Sequence, residues 1–445
     1  MPADRPDVAS SAGGTTVASD AGGDRPQQTP PAGCVGLACQ TVTCPGAPTS
    51  ISGTVYAPNG QLPLYNVTVY VPNAPLDPLP AGVSCDRCGV VTSGSPIVTA
   101  LSDSQGRFRL NNVPSGTDIP LVMQIGKWRR KVLLPTVTAC QDNVISDANL
   151  TRLPRNRKEG DMPRVAVSTG DCDQLGCLLP KIGIDPAELG VAGEDKAIIY
   201  YKTRSILVTN RIYGPANMRA SEELWNNEAA LSAYDMTLLS CECGENLETK
   251  SGTSFTAMTN YLGKGGRIFG SHYSYVWLTN ATDPALTAAA PKNMSYAMGE
   301  SPMIVDTSFP KGKALADWMK FLDPTLNYGE IAASEVFNDF LGVTPPSATA
   351  WASSPTSAFA DGGTDARPRI ITVNTPAGAP ADKQCGRAAN LDAHITMDNP
   401  SGPDTKAPFP AICGDTLTKG ETALAFLFFD LSSCIQPDNT PPVIQ

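Results

Sequence analysis

The sequence predicts two folded domains of different class: an antiparallel β-sandwich, followed by a three-layer α/β domain with a mainly parallel sheet. Three observations predict this arrangement. The 445-residue chain is longer than one hydrophobic core ordinarily serves. Between residues 49 and 152, short apolar runs of period two are separated by turn residues. After residue 163, nearly continuous apolar runs alternate with segments of helical periodicity, a pattern typical of buried parallel strands covered by helices.

The first 48 residues differ from the rest of the chain in composition. They are rich in Ala, Gly, Pro, Ser, Thr and Asp, and such a segment buries too little surface to offset its ordering entropy. We expect a disordered stalk. The predicted boundaries are 1–48 for the stalk, 49–152 for the sandwich, 153–162 for a polar linker, 163–435 for the α/β domain with a loop insertion at about 280–367, and 436–445 for a tail.

The charge of the chain excludes some classes of partner. A formal net charge of −10 argues against a broad nucleic-acid-binding face, which needs concentrated basic residues. The one basic run, at 127–131, is interpreted as a charged edge strand rather than as a polyanion site. No stretch reaches the roughly 18–20 apolar residues that a membrane helix needs, so no transmembrane segment is predicted.

The chain has thirteen cysteines, spread along its length, and this usage favours disulfides in an exported protein. The odd number leaves one thiol over. Cys85 and Cys88 form a lone C-x-x-C, for which we predict a disulfide, local or to Cys140, rather than half of a zinc site. Cys434 is expected to pair with Cys385 or Cys413.

The expected localisation is therefore extracellular or at the cell surface. Residues 1–33 lack the apolar core of a secretory signal, so the inference of export depends on the cysteines and on the domain type. Ala32-Gly33-Cys34 resembles the end of a bacterial lipoprotein signal, although the residues before it do not have the matching chemistry.

Four elements of the first domain form a recognisable set: Ile-Ser-Gly-Thr-Val at 51–55, Asn-Val-Thr-Val at 66–69, Ser-Asp-Ser-Gln-Gly-Arg-Phe at 102–108 and Val-Pro-Ser-Gly at 113–116. Together they resemble the carboxypeptidase regulatory-like domain, a transthyretin-like (prealbumin-like) sandwich of the carbohydrate-binding-like superfamily. Asp103 and Gly106 would shape a hairpin turn, and Phe108 would fill the core. The resemblance implies bracing or adhesion more than catalysis.

In the second domain, the apolar pattern predicts alternating strands and helices. The predicted strands are 164–170, 197–201, 235–241, 267–272, 370–373 and 386–394. The predicted helices are 175–182, one beginning at 221, one around 255–262, 314–322, 332–341 and 421–433.

Ligands of open parallel sheets gather beyond the carboxyl ends of the strands. The predicted strand ends carry both histidines of the chain and several acidic or sulfur-bearing side chains. The candidates are His272, His394 and Cys241 for catalysis, and Asp171, Glu242, Tyr273 and Asp392 for ligand binding.

Three segments of this domain, 234–241 (YDMTLLSC), 261–272 (YLGKGGRIFGSH) and 385–394 (CGRAANLDAH), are similar to the class I glutamine amidotransferase-like superfamily, particularly its trehalose-utilisation-like branch. In that family a cysteine on a strand-to-helix turn is backed by histidine and glutamate. Here His272 stands where that cysteine would be. His394 aligns with the family histidine, but the residues after it offer no acidic partner at the family's spacing. Glutamine hydrolysis is therefore not expected.

Three interpretations of the strand ends stay open. The first is a catalytically degenerate domain used for binding or scaffolding. The second is a hydrolase or lyase acting on a sugar-like ligand, with His272 and His394 as acid and base. The third is Cys241 as a nucleophile, against which stands the expected oxidation of Cys241 and Cys243.

No metal and no cofactor are predicted, although the two histidines with Asp171 or Glu242 form a possible set of metal ligands. The preferred function is an exported or surface-associated binding or adhesion protein. Its partner would be a polysaccharide or another component of the cell envelope.

Overall fold

The structure is a computed structural model, and it describes residues 33–89, 92–203, 214–294, 298–354, 366–395 and 407–444. These residues form several antiparallel and mixed sheets together with helices.

The N-terminal region consists of two small sheets. Its elements are β1 (Ser50–Thr54), β2 (Thr68–Pro72), β3 (Pro96–Leu101), β4 (Arg107–Asn111), β5 (Gly116–Ile125), β6 (Trp128–Val137), β7 (Asp142–Ile145) and α1 (Ala148–Thr151). One sheet has the order β4-β1-β7 and the other β3-β2-β5-β6. All pairs are antiparallel except β1 with β7, which is parallel. The expectation of purely antiparallel pairing is wrong at that pair.

Hydrogen bonds within the hairpin motif before β4 stabilise its turn. Gly106 has a φ of +74°, and its amide donates to the carbonyl of Asp103 at 2.8 Å. The Asp103 carboxylate accepts from the amides of Gln105 and Arg107 at 2.9 Å each. Burial then alternates along β4, so that Phe108 enters the core beside Gly53 of β1. A Cβ at Gly53 would lie 3.2 Å from the Phe108 ring, which is why the smallest residue stands there.

The α/β region follows. Its strands are β8 (Val165–Ser168), β9 (Leu189–Val191), β10 (Ile198–Lys202), β11 (Arg219–Ala220), β12 (Met236–Leu239), β13 (Arg267–Ser271), β14 (Met298–Gly299), β15 (Met303–Val305), β16 (Glu330–Ile331), β17 (Glu335–Phe337), β18 (Ala348–Ser354), β19 (Arg367–Thr375), β20 (Gly386–Leu391) and β21 (Ala393–His394). Its helices are α2 (Leu175–Lys181), α3 (Glu222–Trp225), α4 (Glu228–Ser232), α5 (Gly252–Gly263), α6 (Val276–Thr279), α7 (Pro284–Ala289), α8 (Pro310–Leu322) and α9 (Lys419–Ser432).

One large mixed sheet organises this region. Its order is β11-β10-β8-β12-β13-β20-β19-β18-β15-β16, with β9 also paired to β10. The strands from β11 to β20 pair in parallel, and those from β20 to β16 pair antiparallel. Three strands of the antiparallel half, β15, β16 and β18, lie in the stretch of about 280–367 expected to be a loop insertion. That expectation is wrong for these strands.

The helix predicted for residues 332–341 is wrong. This stretch contains β17, which pairs antiparallel with β21 in a small sheet of order β14-β17-β21. The same residues satisfy a period of two as well as a helical period, so the local pattern does not decide between them. Hydrogen bonds to β21, a contact remote in sequence, determine the outcome.

The N-terminal and α/β regions share one hydrophobic core. Helix α9 is buried along almost its whole length, as its apolar composition predicts. The Trp128 ring meets Phe428 and Phe429 at centroid distances of 6.4 and 6.1 Å. Tyr65 stacks on Phe426 at 5.7 Å. Burial of such large rings contributes a large part of the attraction between the two regions.

The basic run lies at this junction. Strand β6 is the outer strand of its sheet, in agreement with the predicted edge position. However, Lys127 pairs with Asp235 of the α/β region, and the buried Arg129 pairs with Asp161 at 2.8 Å. The Lys127 pair therefore binds the two regions together, and the Arg129 pair holds the linker segment against β6.

Six disulfides use twelve of the thirteen cysteines. The pairs are Cys34–Cys39, Cys44–Cys140, Cys85–Cys385, Cys88–Cys434, Cys172–Cys243 and Cys177–Cys413. The pairing predicted for Cys85, Cys88 and Cys434 is wrong, because both cysteines of the C-x-x-C motif reach across to the α/β region. The remaining cysteine, Cys241, is free and buried. Across the described residues, no helix is both long and apolar enough to span a membrane.

Candidate functional site

The tips of four neighbouring strands meet at the carboxyl edge of the large sheet. Strands β8, β12, β13 and β20 lie side by side in parallel. The prediction that the carboxyl ends of these strands share one edge of the sheet is therefore confirmed. His272 follows β13 directly, and β21, which carries His394, follows β20 after a single residue.

His272 occupies a sharp strand-to-helix turn. Its φ is +39°, a left-handed conformation that costs a non-glycine residue about 1–3 kcal/mol. The chain folds back tightly here, since a Cβ at Gly270 would lie 2.7 Å from that of Ser274. The Phe337 ring stacks on the imidazole at a centroid distance of 3.5 Å and holds it in place. Such strain at a polar residue is typical of functional sites.

Four side chains form a continuous row, here called the histidine chain. Cys241 Sγ lies 3.6 Å from His272 Nδ1, and the same nitrogen lies 3.1 Å from His394 Nε2. His394 Nδ1 lies 2.8 Å from Glu335 Oε2. The cysteine and both imidazoles are buried, whereas the Glu335 side chain is 49% exposed. The row therefore runs from the interior to the protein surface.

With both rings in the neutral form, the hydrogen-bond partners determine their tautomers. A carboxylate only accepts hydrogen bonds, so His394 donates its Nδ1–H to Glu335. Its Nε2 is then an acceptor and takes the Nδ1–H of His272. This leaves His272 Nε2 unprotonated, with a free lone pair. Burial, with a smaller contribution from His394, lowers the pKa of His272 to about 2, so the ring is neutral at physiological pH.

Cys241 is a poor nucleophile in this environment. Burial raises the pKa of its thiol far above the ordinary range, and the nearby Asp173 raises it further. The backbone amides of Tyr273 and Cys243 donate towards the sulfur and lower the pKa, but burial outweighs them. Since the thiolate is the reactive form, the geometry disfavours nucleophilic attack by this sulfur.

Two buried carboxyl groups stand on the other side of His272. Asp339 Oδ2 lies 3.6 Å from His272 Nε2, and the Asp339 amide donates to Asp392 Oδ2 at 2.6 Å. Burial raises the pKa of both carboxyl groups, and the Asp339 charge further raises that of Asp392. Asp173 approaches from the β8 side, with its Oδ2 at 3.9 Å from His394 Nε2.

The structure assembles most, but not all, of the predicted site. The Tyr273 ring lies 3.9 Å from that of His272, centroid to centroid, and Asp392 lies in the carboxyl pair. Glu242 is engaged elsewhere, in an ion pair with the buried Lys250 at 2.9 Å. Asp171 is half-buried in the bend that follows β8.

Sequence reasoning missed the acidic partners Glu335, Asp339 and Asp173. The first two were hidden by the helix predicted for residues 332–341. A period of two would have placed Glu335, Phe337 and Asp339 on one face of an extended segment. No comparable signal singles out Asp173.

No protein-family model matches the chain, and no curated protein matches it. Solved structures that resemble it include a ThuA-like protein from Bacteroides uniformis, with 9% identity and a TM-score of 0.33 over 60% of this chain and 89% of that chain. PurLQS from Thermotoga maritima aligns with 12% identity and a TM-score of 0.29 over 60% of this chain and 99% of that chain. A cohesin–X-dockerin complex from Acetivibrio cellulolyticus aligns with 17% identity and a TM-score of 0.15, over 32% of this chain and 74% of that chain. These likenesses are loose, and none of them decides what the site does.

Proposed function

We propose that this chain is an exported, surface-associated protein that binds a polysaccharide or another component of the cell envelope. In this proposal, residues 49–152 form the prealbumin-like sandwich of the carboxypeptidase regulatory-like kind. Residues 163–435 form an amidotransferase-like domain that has lost its cysteine chemistry. The stalk predicted for residues 1–48 would consist of residues 1–32, which lie outside the described residues. Residues 33–48 are joined to the sandwich by the Cys44–Cys140 disulfide and by a hydrogen bond from the Ser115 amide to the carbonyl of Gln40.

One observation carries the loss of amidotransferase chemistry. The strand-to-helix turn of β13 presents His272 instead of a cysteine, and the one free thiol is buried with a raised pKa. Without a reactive thiolate, the family's route to glutamine hydrolysis has no nucleophile. The six disulfides support export, because such bonds persist in oxidising compartments.

The oxidation state of the purified protein tests the exported part of the proposal. We expect alkylation under denaturing, non-reducing conditions to label one cysteine per chain, and peptide mass spectrometry to identify it as Cys241. Alkylation of the native protein should label none, because Cys241 is fully buried. Labelling of several cysteines without reductant would contradict an oxidised, exported protein.

A second candidate function is favoured by the histidine chain. Two imidazoles lie 3.1 Å apart, and the outer one, His394, is bonded to a half-exposed carboxylate. His394 would be the acid–base group, and the neutral His272 would hold its ring in place. This arrangement suits a hydrolase or lyase that acts on a sugar-like ligand through general acid and base catalysis.

Incubation of the full chain with a panel of polysaccharides distinguishes the two functions. A binding protein should be retained on at least one insoluble polysaccharide and release no reducing ends or unsaturated products. His394→Gln should leave that retention unchanged. An enzyme should release products, and His394→Gln should slow the release by about 10²–10⁴-fold. If the chain is retained on no polysaccharide of the panel and releases no product from any of them, both functions are contradicted.

A further inference from the structure

Three buried atoms at the strand tips lack a hydrogen-bond partner among the described residues: His272 Nε2, Asp339 Oδ2 and Asp392 Oδ1. The side chains of His272 and Asp339 are 3% and 11% exposed, and Asp392 is fully buried. A buried acceptor without a partner costs about 1–3 kcal/mol, and a charged one costs more. Three such atoms in one place therefore point to a partner that accepts all three lone pairs.

The three residues also converge in space. One ligand atom from each of His272, Asp339 and Asp392 lies within 4.8 Å of the other two. Two atoms bound to one ion at about 2.0–2.2 Å each stand at most about 4.4 Å apart. The 3.6 Å between His272 Nε2 and Asp339 Oδ2 falls inside this limit. The other separations are no longer than 4.8 Å, so an ion would draw the carboxylate oxygens inwards on binding.

The positively charged neighbours of the two carboxyl groups are Arg369 and Lys292. Arg369 is near, but its guanidinium donates to Asn338 Oδ1 at 2.8 Å and to Ser354 Oγ at 3.0 Å. Lys292 pairs with Glu245. Neither cation is hydrogen-bonded to Asp339 Oδ2 or Asp392 Oδ1, so both oxygen atoms stay available to a ligand.

We propose that His272, Asp339 and Asp392 bind a divalent first-row transition-metal ion of the Zn²⁺ or Mn²⁺ type. His272 contributes Nε2, and each aspartate contributes one carboxylate oxygen. A mixed nitrogen and oxygen set suits these ions, whereas Ca²⁺ takes oxygen ligands only. Three protein ligands leave a coordination position open for a further ligand.

The histidine chain has the form of an outer shell for this ion. A metal-bound histidine ordinarily donates its other ring N–H to an acceptor that fixes its tautomer. His272 Nδ1 has His394 Nε2 at 3.1 Å, and His394 is in turn fixed by Glu335. The alternative grouping of Cys172, Cys241 and His394 is less suitable, because the sulfur of Cys172 is bound to Cys243.

Metal titration of the full, untagged chain after dialysis against a chelator tests the proposal. Isothermal titration with Zn²⁺ should show one ion per chain. Asp392→Asn removes the charge and keeps the shape, so it should weaken binding by more than about 100-fold, beyond the roughly 10–100-fold cost of an outer-shell change such as Glu335→Gln. Asp195→Asn, at a side chain that is 92% exposed, is the matched control and should bind like the wild type.

Two further measurements keep the result decisive if Asp392→Asn affects folding. Asp339→Asn should lose binding in the same way. Zn²⁺ should raise the melting temperature of the wild type and leave that of both variants unchanged. Equal Zn²⁺ affinity in wild type and both variants would overturn the proposal and leave a carboxyl pair that shares a proton. A sulfur-to-metal charge-transfer band with Co²⁺ would overturn it in favour of Cys241.

Discussion

Replacing Lys181 by methionine is expected to lower the free energy of unfolding by about 3–5 kcal/mol, the usual cost of breaking a buried ion pair. Lys181 ends α2, and its ammonium lies 2.6 and 2.7 Å from the two carboxylate oxygens of Glu421. The two side chains are 3% and 2% exposed. Methionine fills a similar volume, so the loss comes from the carboxylate that stays buried without its cation. The pair also connects segments 240 residues apart, α2 and the first turn of α9.

Lys313→Met is the matched control. Lys313 lies on the surface of α8 and pairs with Asp317 one turn further along the helix. Exposed pairs of this spacing contribute about 0.3–0.5 kcal/mol. Urea denaturation of both variants gives the comparison directly. If Lys181→Met lowered the free energy of unfolding no more than Lys313→Met does, the buried ion pair assigned between α2 and α9 would be contradicted.

The parallel half of the large sheet could be predicted from the sequence. Segments such as Val165–Ser168 and Met236–Leu239 are continuously apolar and short, and only a strand buried on both faces explains this pattern. Because the carboxyl ends of neighbouring parallel strands share one edge, the positions of His272, His394 and Cys241 followed from the strand assignments alone.

The rest of the site depends on contacts that no local pattern encodes. Glu335 and Asp339 reach the site because β17 pairs with β21, some 59 residues further along the chain. The disulfides pose the same problem, since a cysteine does not indicate its partner by its own position. Cys85 and Cys88 pair over separations of 300 and 346 residues. Of the three proposed metal ligands, the sequence analysis names His272 and Asp392 as site residues, whereas Asp339 reaches the site only through this pairing.

His272 is expected to remain neutral across the physiological pH range. Burial lowers the pKa of this imidazole to about 2, against about 6.5 for an exposed histidine. The unfolded chain takes up that proton below about pH 6.5, whereas the folded chain does not. His272 alone therefore reduces the stability of the folded state by about 1.4 kcal/mol for each pH unit below that point, and this contribution is absent at higher pH.

The chain has only two histidines, so selective ¹⁵N labelling of histidine gives an NMR spectrum of four ring nitrogens. A His394→Gln variant assigns the signals to each ring. Labelled protein without an affinity tag and freed of metal by a chelator can be followed from pH 8 to pH 5.

This spectrum tests most directly whether the strand tips bring the two imidazoles together. The structure predicts that His272 stays neutral throughout, with its proton on Nδ1, and that a coupling across the hydrogen bond connects this nitrogen to Nε2 of His394. Two independent rings, both titrating near pH 6.5 and without such a coupling, would contradict it.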